Sequence, residues 1–429
     1  MPSPRPTLTR NDARQLTADR GFRRSAGAPA PGRHVGIELE WLTVSLDDPT
    51  QPALADVART TADAVGPLPG GSRITFEPGG QVELSSPPLP LSLACASLAS
   101  DVEVLGTALA DDGVGLVALG LEPGPRRERT LRTPRYDAME AYFDRGGPAG
   151  RTMMRSTAAL QVNLDLGDDD GVERRWRTAN DLGPVLAAAF ANSPFGEHGP
   201  SGQRSTRQGV WSAIDRSRTA PAGYGNGEGC RGAWADYALA ADVMLIRVSD
   251  EHTEPVLEPL RFEDWVQRGH ALGWPTVDDL EYHLTTLFPP VRPRGWLELR
   301  MIDALPTPWW QAASAVAATL VHEDALASSV ARATAPAKHL WAEAARDGLT
   351  NPTLARAATT CFSDALEALR DGALDGTVDR TTLDATCEYI DRYVARGRTP
   401  ADDALDQWDR CGATLPAPDN APAAERTRT

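Results

Sequence analysis

Four short segments, far apart in this sequence, alternate charged or amide side chains with large apolar ones, and this pattern constrains the fold more than any other feature. Alternate side chains of a β-strand face opposite sides of a sheet, so each segment predicts a strand with one polar and one apolar face. If the strands share one sheet, their polar faces form a common surface; for each strand alone, a solvent-facing acidic face is the alternative. The segments are His34–Val44, Ile74–Ser85, Thr157–Leu166 and Gly295–Asp303.

The segment Ile74–Ser85 predicts a β-hairpin, because Pro-Gly-Gly at 78–80 is typical of a turn and β-forming residues flank it on both sides. Folding back at this turn brings Glu77 near Glu83 on one face. Two like charges this close are costly unless something positive lies between them, and a divalent cation is the obvious candidate. For this segment alone, a solvated hairpin with acidic edges is the alternative.

The polar faces of the four segments together carry a set of oxygen ligands with one arginine beside them. On a single sheet these carboxylates form an acidic floor that cannot stay fully ionised without cations. Oxygen ligands without a His or Cys cluster favour Mg²⁺ or Mn²⁺ over zinc, and an acidic floor near arginines suits phosphoryl transfer from a nucleotide. The residues are Glu38, Glu40, Glu77, Glu83, Gln161 and Glu298, with Arg300 alongside.

The charge of the chain limits its partners and its phosphate chemistry. A net charge of −16 over 429 residues argues against nucleic acid or an anionic membrane surface as a general partner. Lys338 is the only lysine among 43 basic residues, and the phosphate-loop pattern that ends in Gly-Lys does not occur. Phosphate chemistry in this chain therefore has to use arginine and metal ions.

The five cysteines are widely spaced and form no C-x-x-C pair, which suggests neither a zinc knuckle nor a disulfide framework. A reduced, cytoplasmic location is the expectation. The N-terminus has no apolar core typical of a signal peptide, and the most apolar run, 309–321, is too short and polar to span a bilayer. We expect an N-terminal extension and linker over 1–33, a single catalytic domain over 34–411 with a helical part from about 308, and a disordered tail over 412–429.

An arginine-rich segment follows the third strand. Arg207, Trp211 and Asp215 have the i, i+4, i+8 spacing that places side chains along one face of a helix. One interpretation is a surface Arg–Asp pair, which contributes little. The other is a bidentate clamp for a carboxylate or phosphate. The glycine-rich stretch 223–229 predicts a mobile loop, since its spacing is not that of a dinucleotide-binding turn.

Seven motifs, in order along the chain, resemble those of the glutamate–cysteine ligases, and most closely the plant-like branch with its actinobacterial ergothioneine-pathway members. These motifs cover residues from about 34 to 310. They are Gly36-Ile-Glu-Leu-Glu40, Glu77-Pro-Gly-Gly-Gln-Val-Glu83-Leu-Ser85, Met153-Met154, Gln161-Val-Asn-Leu-Asp165, Asn192-Ser-Pro-Phe195, His283-Leu-Thr-Thr-Leu-Phe288 and Leu297-Glu-Leu-Arg300.

The resemblance implies an α+β, glutamine-synthetase-like fold: a curved, mainly antiparallel sheet that forms a funnel wrapped by helices. It also implies the ATP-dependent ligation of the L-glutamate γ-carboxylate to the L-cysteine amine through a γ-glutamyl phosphate, giving γ-glutamylcysteine for ergothioneine biosynthesis. The implied partners are these small molecules, without nucleic acid or membrane. A ligase of the same fold with another amine acceptor, or a non-catalytic Mg-nucleotide-binding protein, are the alternatives.

The resemblance also assigns roles to residues. Arg300 would neutralise the transferred phosphoryl group, with Glu298 as its catalytic partner, and Arg207 would grip the glutamate α-carboxylate. Some branches carry histidine where this chain has Gln161. The implied magnesium ligands are Glu38, Glu40, Glu77, Glu83, Gln161 and Glu298. The implied substrate-binding residues are Arg207, Asn163, Arg218 (for phosphate), Trp211, Met153 and Tyr224, with Met153 and Tyr224 as candidates for the second substrate.

Overall fold

A computed structural model describes residues 8–24, 30, 32–124, 127–224, 228–249, 251–374 and 378–421. The strands of this part are β1 (His34–Ser45), β2 (Arg73–Phe76), β3 (Val82–Ser85), β4 (Leu89–Pro90), β5 (Val114–Val117), β6 (Ala159–Leu164), β7 (Phe195–Gly196), β8 (Gly199–Pro200), β9 (Leu245–Arg247), β10 (Thr253–Pro255), β11 (Val291–Pro293) and β12 (Leu297–Asp303).

Helices surround the sheet on both sides and form the C-terminal part of the chain. They are α1 (Arg10–Phe22), α2 (Ala55–Val65), α3 (Leu91–Asp111), α4 (Pro134–Asp144), α5 (Ala149–Ser156), α6 (Asp169–Ala189), α7 (Thr206–Ser212), α8 (Arg216–Thr219), α9 (Gly229–Ala240), α10 (Phe262–Arg268), α11 (Val277–Leu284), α12 (Trp309–His322), α13 (Ala327–Thr334), α14 (Trp341–Asp347), α15 (Pro352–Arg370), α16 (Arg380–Arg392) and α17 (Pro400–Cys411).

The main sheet is built around β1, which at 12 residues is long enough to pair with several strands at once. The strand order is β11-β12-β6-β1-β3-β2, and β4 and β5 pair with the two ends of β1. Every described pairing in this sheet is antiparallel. The four strands predicted from the alternating segments therefore share one sheet, and the prediction of an α+β fold with a mainly antiparallel sheet is confirmed.

The strand register aligns the polar side chains of neighbouring strands. Glu40 lies directly opposite Glu83 of β3, and Glu38 lies opposite Gln161 of β6. On the other side of β6, Asn163 lies opposite Glu298 of β12. Directly opposite residues of an antiparallel pair have adjacent side chains, so the register alone gathers the polar groups on one face.

The opposite face of the same strands is the core. Ile37, Leu39 and Trp41 of β1 are at most 2% exposed and belong to the largest apolar cluster. Helix α12 packs against this face and is buried along its whole length. Its many alanines let it approach β6 closely, so the most apolar run of the sequence is a core helix rather than a surface element.

The hairpin of β2 and β3 has the predicted strand–turn–strand form, and its turn is tightly packed. A Cβ atom on Gly79 would lie 1.9 Å from the carbonyl oxygen of Arg155 at the end of α5. Gly80 has φ of +88°, a conformation that favours glycine. The Thr130 N–H donates to the Pro78 carbonyl at 2.7 Å, so a neighbouring loop also holds the turn. These contacts fix the position of Glu77.

The N-terminal helix α1 lies within the predicted N-terminal extension. Thr9 and Asp12 form a reciprocal capping box at its start. Its last residue, Phe22, is buried and meets Trp176 of α6 edge to face at 5.6 Å between ring centroids. This part of the predicted N-terminal extension therefore packs into the main core.

The segment after α17 is placed over residues 413–421, where the prediction of a disordered tail is wrong. The Asn420 amide accepts from the Leu116 N–H at 2.8 Å and donates to two backbone carbonyls at 2.9 Å. The Asp419 carboxylate accepts from the Trp41 indole N–H at 3.2 Å. A side-chain amide that satisfies the edge of β5 in this way orders the segment despite its polar sequence. The last eight residues lie outside the described part of the chain.

In the described part of the chain, α3 is the one helix long and apolar enough to cross a membrane by length and composition. Core helices of folded proteins pass the same test. Leu98, Leu105 and Leu109 of α3 are fully buried in the largest apolar cluster, so α3 packs as a core helix.

Candidate active site

A cavity of about 670 Å³ lies between the polar face of the main sheet and helices α1, α4, α5, α7, α9 and α11. It gathers residues that are far apart in the chain, from Arg20 to Arg300. The predicted site residues that line it are Glu38, Glu40, Glu77, Glu83, Gln161, Glu298, Arg300, Arg207, Trp211 and Met153. The predicted acidic floor is therefore one continuous surface.

The carboxylates on β1 and β3 are held by hydrogen bonds from residues of the same sheet. Glu83 accepts from the hydroxyls of Thr75 and Ser85, at 2.6 and 2.9 Å. Glu40 accepts from the Ala159 N–H at 2.8 Å, and Glu38 accepts from the Asn163 amide at 2.9 Å. Because the donors belong to rigid strands, the carboxylate positions are set before any substrate binds.

Burial and mutual repulsion raise the pKa values of these carboxyl groups. Burial, followed by the charges of Glu298 and Glu83, raises the pKa of Glu38 from 4.5 to about 7. Burial and the charge of Glu83 raise the pKa of Glu77 to about 7, and burial with Glu77 and Glu83 raises the pKa of Glu40 well above its ordinary value. The cluster of glutamates is therefore destabilised by repulsion when all of its carboxyl groups are ionised, and this favours the binding of a cation.

The opposite end of the cavity is rich in arginine and is organised by Glu298, a side chain only 1% exposed. Arg292 pairs with it in a bidentate manner at 2.6 and 2.9 Å, and Arg300 approaches to 3.1 Å. Burial alone would raise the pKa of Glu298, but Arg292 and Arg300 outweigh it and hold that pKa well below its usual range. Both carboxylate oxygens already accept hydrogen bonds from arginine, which sets Glu298 apart from the other glutamates.

Arg300 lies between the acidic and the basic ends of the cavity. Its Nη1 donates to Glu298 and to the carbonyl oxygen of the Gln161 side chain. The rings of Trp211 and Phe288 lie 5.7 and 5.9 Å from its guanidinium carbon. Cation–π contacts on two sides, with a carboxylate and an amide at the edge, fix this guanidinium in one orientation.

Arg207 on α7 is 2% exposed, and its Nε and Nη1 atoms are buried without a hydrogen-bond partner. Its Nη2 donates to the Arg300 carbonyl at 3.0 Å, and Asp303 lies 3.6 Å from Nη1. Asp303 is itself held by the hydroxyl of Ser193 at 2.7 Å. The buried indole N–H of Trp211 also has no partner. Buried donors left open in this way indicate an anionic ligand at this wall.

Three predicted substrate-binding residues lie away from the cavity surface. Arg218 is fully buried, and it pairs with Asp215 at 2.8 Å and donates to the Thr286 carbonyl at 2.9 Å and to the Tyr142 hydroxyl at 3.1 Å. Since protein acceptors occupy its donors, Arg218 holds the chain together instead of reaching a phosphate. The predicted role in phosphate binding does not fit this position.

Tyr224 and Asn163 also differ from expectation. The Tyr224 hydroxyl donates to Asp181, and Lys338 lies 5.8 Å from its ring, so Tyr224 is outside the cavity. Asn163 lies just behind the cavity lining, where it joins Glu38 to the indole N–H of Trp296. Asn163 therefore positions a carboxylate, and nothing in the structure places Tyr224 near a second substrate.

The predicted helical row of Arg207, Trp211 and Asp215 holds for its first two members, whose side chains are 6.0 Å apart, measured from guanidinium carbon to ring centroid. Helix α7 ends at Ser212, and Asp215 instead caps α8. The short connection of Ala213, Ile214 and Asp215 between the helices breaks the row. The spacing rule therefore fails where the helix is shorter than the pattern.

Arg292 is a cavity residue that the sequence pattern missed. It lies in β11, a strand of three residues that follows Pro290 and ends at Pro293, and such a strand is too short to show alternation. In the antiparallel pair of β11 and β12, Arg292 lies directly opposite Glu298. A hairpin prediction for residues 291–303 would have indicated this cross-strand ion pair.

The sequence profile of glutamate-cysteine ligase family 2 (GCS2) matches residues 34–423. The chain belongs to this family. It is 43% identical over 383 residues to the glutamate–cysteine ligase EgtA of Mycolicibacterium smegmatis, covering 88% of each chain. It is 40% identical to EgtA of Mycobacterium tuberculosis strain H37Rv, covering 88% of this chain and 86% of the other.

A plant enzyme is a more distant relative of this chain. The chloroplastic glutamate–cysteine ligase of Arabidopsis thaliana is 31% identical over 362 residues, covering 80% of this chain and 67% of the plant chain. The resemblance that the seven motifs carry is therefore confirmed, and the higher identity lies with the actinobacterial relatives.

Proposed function

We propose that this chain joins the γ-carboxylate of L-glutamate to the amine of L-cysteine at the expense of ATP, giving γ-glutamylcysteine for ergothioneine biosynthesis in the cytoplasm. The observation that supports this most is the division of one cavity into an acidic and an arginine-rich end. In a member of the glutamate–cysteine ligase family, the acidic end of such a cavity can bind the metal ions of a nucleotide. The arginine-rich end can bind its phosphates and the carboxylate of an amino acid.

The reaction has two displacements. A glutamate γ-carboxylate oxygen attacks the γ-phosphorus of ATP, the bond to the ADP oxygen breaks, and a γ-glutamyl phosphate forms. The cysteine amine then attacks the acyl carbon, loses a proton and displaces phosphate. Arg300 is fixed by Glu298, Trp211 and Phe288 at the centre of the cavity, where its charge can stabilise the phosphoryl group during transfer.

Magnesium is the metal that fits this donor set. The available ligands are carboxylate oxygens, and burial together with repulsion from neighbouring glutamates raises the pKa values of Glu38, Glu40 and Glu77. Among the described residues, no three His, Cys, Asp or Glu side chains are arranged to hold an ion by themselves. Mg²⁺ in nucleotide sites is commonly held by one or two carboxylates together with substrate phosphates. A site of that kind needs oxygen ligands but no complete set of protein ligands. When bound, it neutralises charge on the phosphates.

We assign the metal-binding role to Glu38, Glu40, Glu77 and Glu83, which face the cavity without a direct arginine partner. Glu298 has its oxygens engaged by arginines, and we assign it to holding Arg300.

For the substrates, we assign the glutamate α-carboxylate to Arg207 and to the indole N–H of Trp211, because both side chains line the cavity on α7 and carry buried donors without hydrogen-bond acceptors. We assign the side chain of the second substrate to the apolar wall formed by Met153 and Met139, which line the same cavity. A thiol or methyl group suits such a wall better than a charged group does.

The test is phosphate release from ATP and Mg²⁺ with glutamate and each amine in turn. We expect rapid release with cysteine, and a γ-glutamyl hydroxamate when hydroxylamine replaces it. If phosphate is released equally fast when any other amine replaces cysteine, cysteine is rejected as the acceptor. Binding of Mg-ATP without turnover would instead favour the non-catalytic alternative.

A pair of matched variants tests the role of Arg300 in this assay. Removing one preorganised charge-stabilising donor commonly lowers kcat by about 10²–10³-fold, and we expect this for Arg300→Gln. Arg294→Gln is the control, because Arg294 is 48% exposed and 3.4 Å from the same carboxylate. Equal losses in the two variants would contradict the assignment.

A further inference from the structure

The side chain of Gln161 connects the acidic and the basic ends of the cavity. Its Oε1 accepts from Arg300 Nη1, and its Nε2 donates to Glu40 Oε1 at 3.0 Å. The residue is 5% exposed and lies on β6 between the strands that carry its two partners. Both ends of the amide are therefore used within the protein.

This bonding pattern requires an amide. A carboxylate of the same length could accept from Arg300 but could not donate to Glu40, and the two carboxylates would repel. A thioether of similar size would make neither bond. Asparagine is one methylene shorter and could not span the same gap from the same strand position.

The same geometry argues against Gln161 as a metal ligand. A neutral amide oxygen that already accepts from a guanidinium would bring a second cation next to Arg300 if it also bound Mg²⁺. Arg300 can turn away from that oxygen only by leaving Glu298 or the rings of Trp211 and Phe288. The carboxylates of Glu38, Glu77 and Glu83 are stronger ligands and have no such conflict.

We propose that Gln161 is a positioning residue for Arg300: its amide fixes the guanidinium at a set distance from Glu40, so that the charge lies at the boundary of the acidic floor. This inference rests on the proposed ligase function. It changes the expected role of Gln161 from a magnesium ligand to a bridge between an acidic and a basic side chain.

The test is a double-mutant cycle of Gln161→Met and Arg300→Lys, read as kcat for ADP formation with glutamate and hydroxylamine. A small displacement of a reacting group can cost about 10²-fold, so we expect Gln161→Met alone to lower kcat by about 10–100-fold. In the Arg300→Lys background the same change should cost less than about threefold, because residues that act through one another are non-additive.

Asn163→Leu is the matched control. Asn163 lies on the same strand and face and holds Glu38 as Gln161 holds Glu40, but its second bond goes to Trp296 instead of Arg300. We expect its effect on kcat to be the same factor in both Arg300 backgrounds. A control effect that vanishes with Arg300→Lys would show that the cycle does not isolate the bridge.

Two results would overturn the inference. One is a Gln161→Met loss of equal factor in both backgrounds. The other is a tenfold or greater rise in the Mn²⁺ concentration needed for half-maximal activity while kcat at saturation is unchanged, which is the behaviour of a ligand. If Arg300→Lys has no measurable turnover, the same cycle is read from calorimetric binding of a non-hydrolysable ATP analogue with Mn²⁺.

Wild-type protein in the same assay separates this inference from the proposed function. Absence of hydroxamate with the wild type would reject the ligase, whereas normal wild-type turnover with an additive cycle rejects only the bridge. Gln161→Glu, which keeps the volume and also cannot donate to Glu40, replaces Gln161→Met if that variant fails to fold.

Discussion

Neutralising Glu77 should stabilise the metal-free protein at neutral and alkaline pH while removing activity. Glu77 lies at the start of the hairpin turn, and burial and the charge of Glu83 raise its pKa from 4.5 to about 7. The folded protein therefore binds more protons than the unfolded chain between these values. The stability that the protonated Glu77 contributes is therefore fully present below pH 4.5 and is lost as the pH rises through 7.

The size of this effect follows from the pKa. A tenfold change in proton affinity is worth about 1.4 kcal/mol, so a change from 4.5 to 7 corresponds to about 3 kcal/mol at most. Glu77 lines a cavity open to water, which lowers the figure to roughly 1–3 kcal/mol. Glu77→Gln keeps the volume and removes the charge. We expect it to raise the free energy of unfolding by this amount at pH 8, and by almost nothing at pH 4.5.

The assay is urea unfolding of both proteins at pH 4.5, 6 and 8 with EDTA present, followed by the same series with Mg²⁺ and ATP. Glu103→Gln, an exposed position on α3, is the control for loss of one negative charge and should show no such pH dependence. With Mg²⁺ and ATP, the wild type should become the more stable protein. Equal midpoints at pH 8 without metal, or a difference in stability between the two proteins that does not grow from pH 4.5 to 8, would refute the reasoning.

Three other substitutions have defined outcomes. Gly79→Ala places a methyl group 1.9 Å from the Arg155 carbonyl and should lower turnover at least about tenfold, whereas Gly146→Ala, with its nearest contact at 3.6 Å, should be neutral. Arg207→Lys should raise the KM for glutamate by about 10–100-fold in steady-state kinetics, since a charged hydrogen bond is worth about 1.5–3 kcal/mol. Asn420→Ala should lower the free energy of unfolding by about 1–3 kcal/mol in urea, because buried backbone groups lose their partner.

The acidic part of the site was predictable because strand alternation is a local property of the sequence. Each of the four segments shows its two faces within ten or so residues, and apolar side chains such as Leu39 and Leu84 confirm which face is buried. The hairpin turn at 78–80 is equally local. Alternation within a segment does not give the order of the strands in the sheet. The pairing of Glu40 with Glu83 depends on that order.

The rest of the site depends on contacts between distant segments. Arg218 and Arg207 are similar in sequence context, yet one is enclosed by protein acceptors and the other keeps open donors at the cavity. Only the packing of the surrounding helices decides between these outcomes. Arg292 was missed for a different reason, because a strand of only three residues is too short to show alternation.

The two faces of β1 explain how a repulsive cluster of glutamates can be held in place. A slip of one residue in the register of β1 would turn Glu38 and Glu40 into the core and expose Ile37 and Leu39 to the cavity. Exposing each of these apolar side chains costs about 1.5–3 kcal/mol, and burying an unpaired carboxylate costs several kcal/mol more. Burial of the apolar side chains therefore fixes the register of β1 and holds Glu38 and Glu40 at the cavity. Because a change of register is too costly, the repulsion among the glutamates is relieved by binding protons or metal ions.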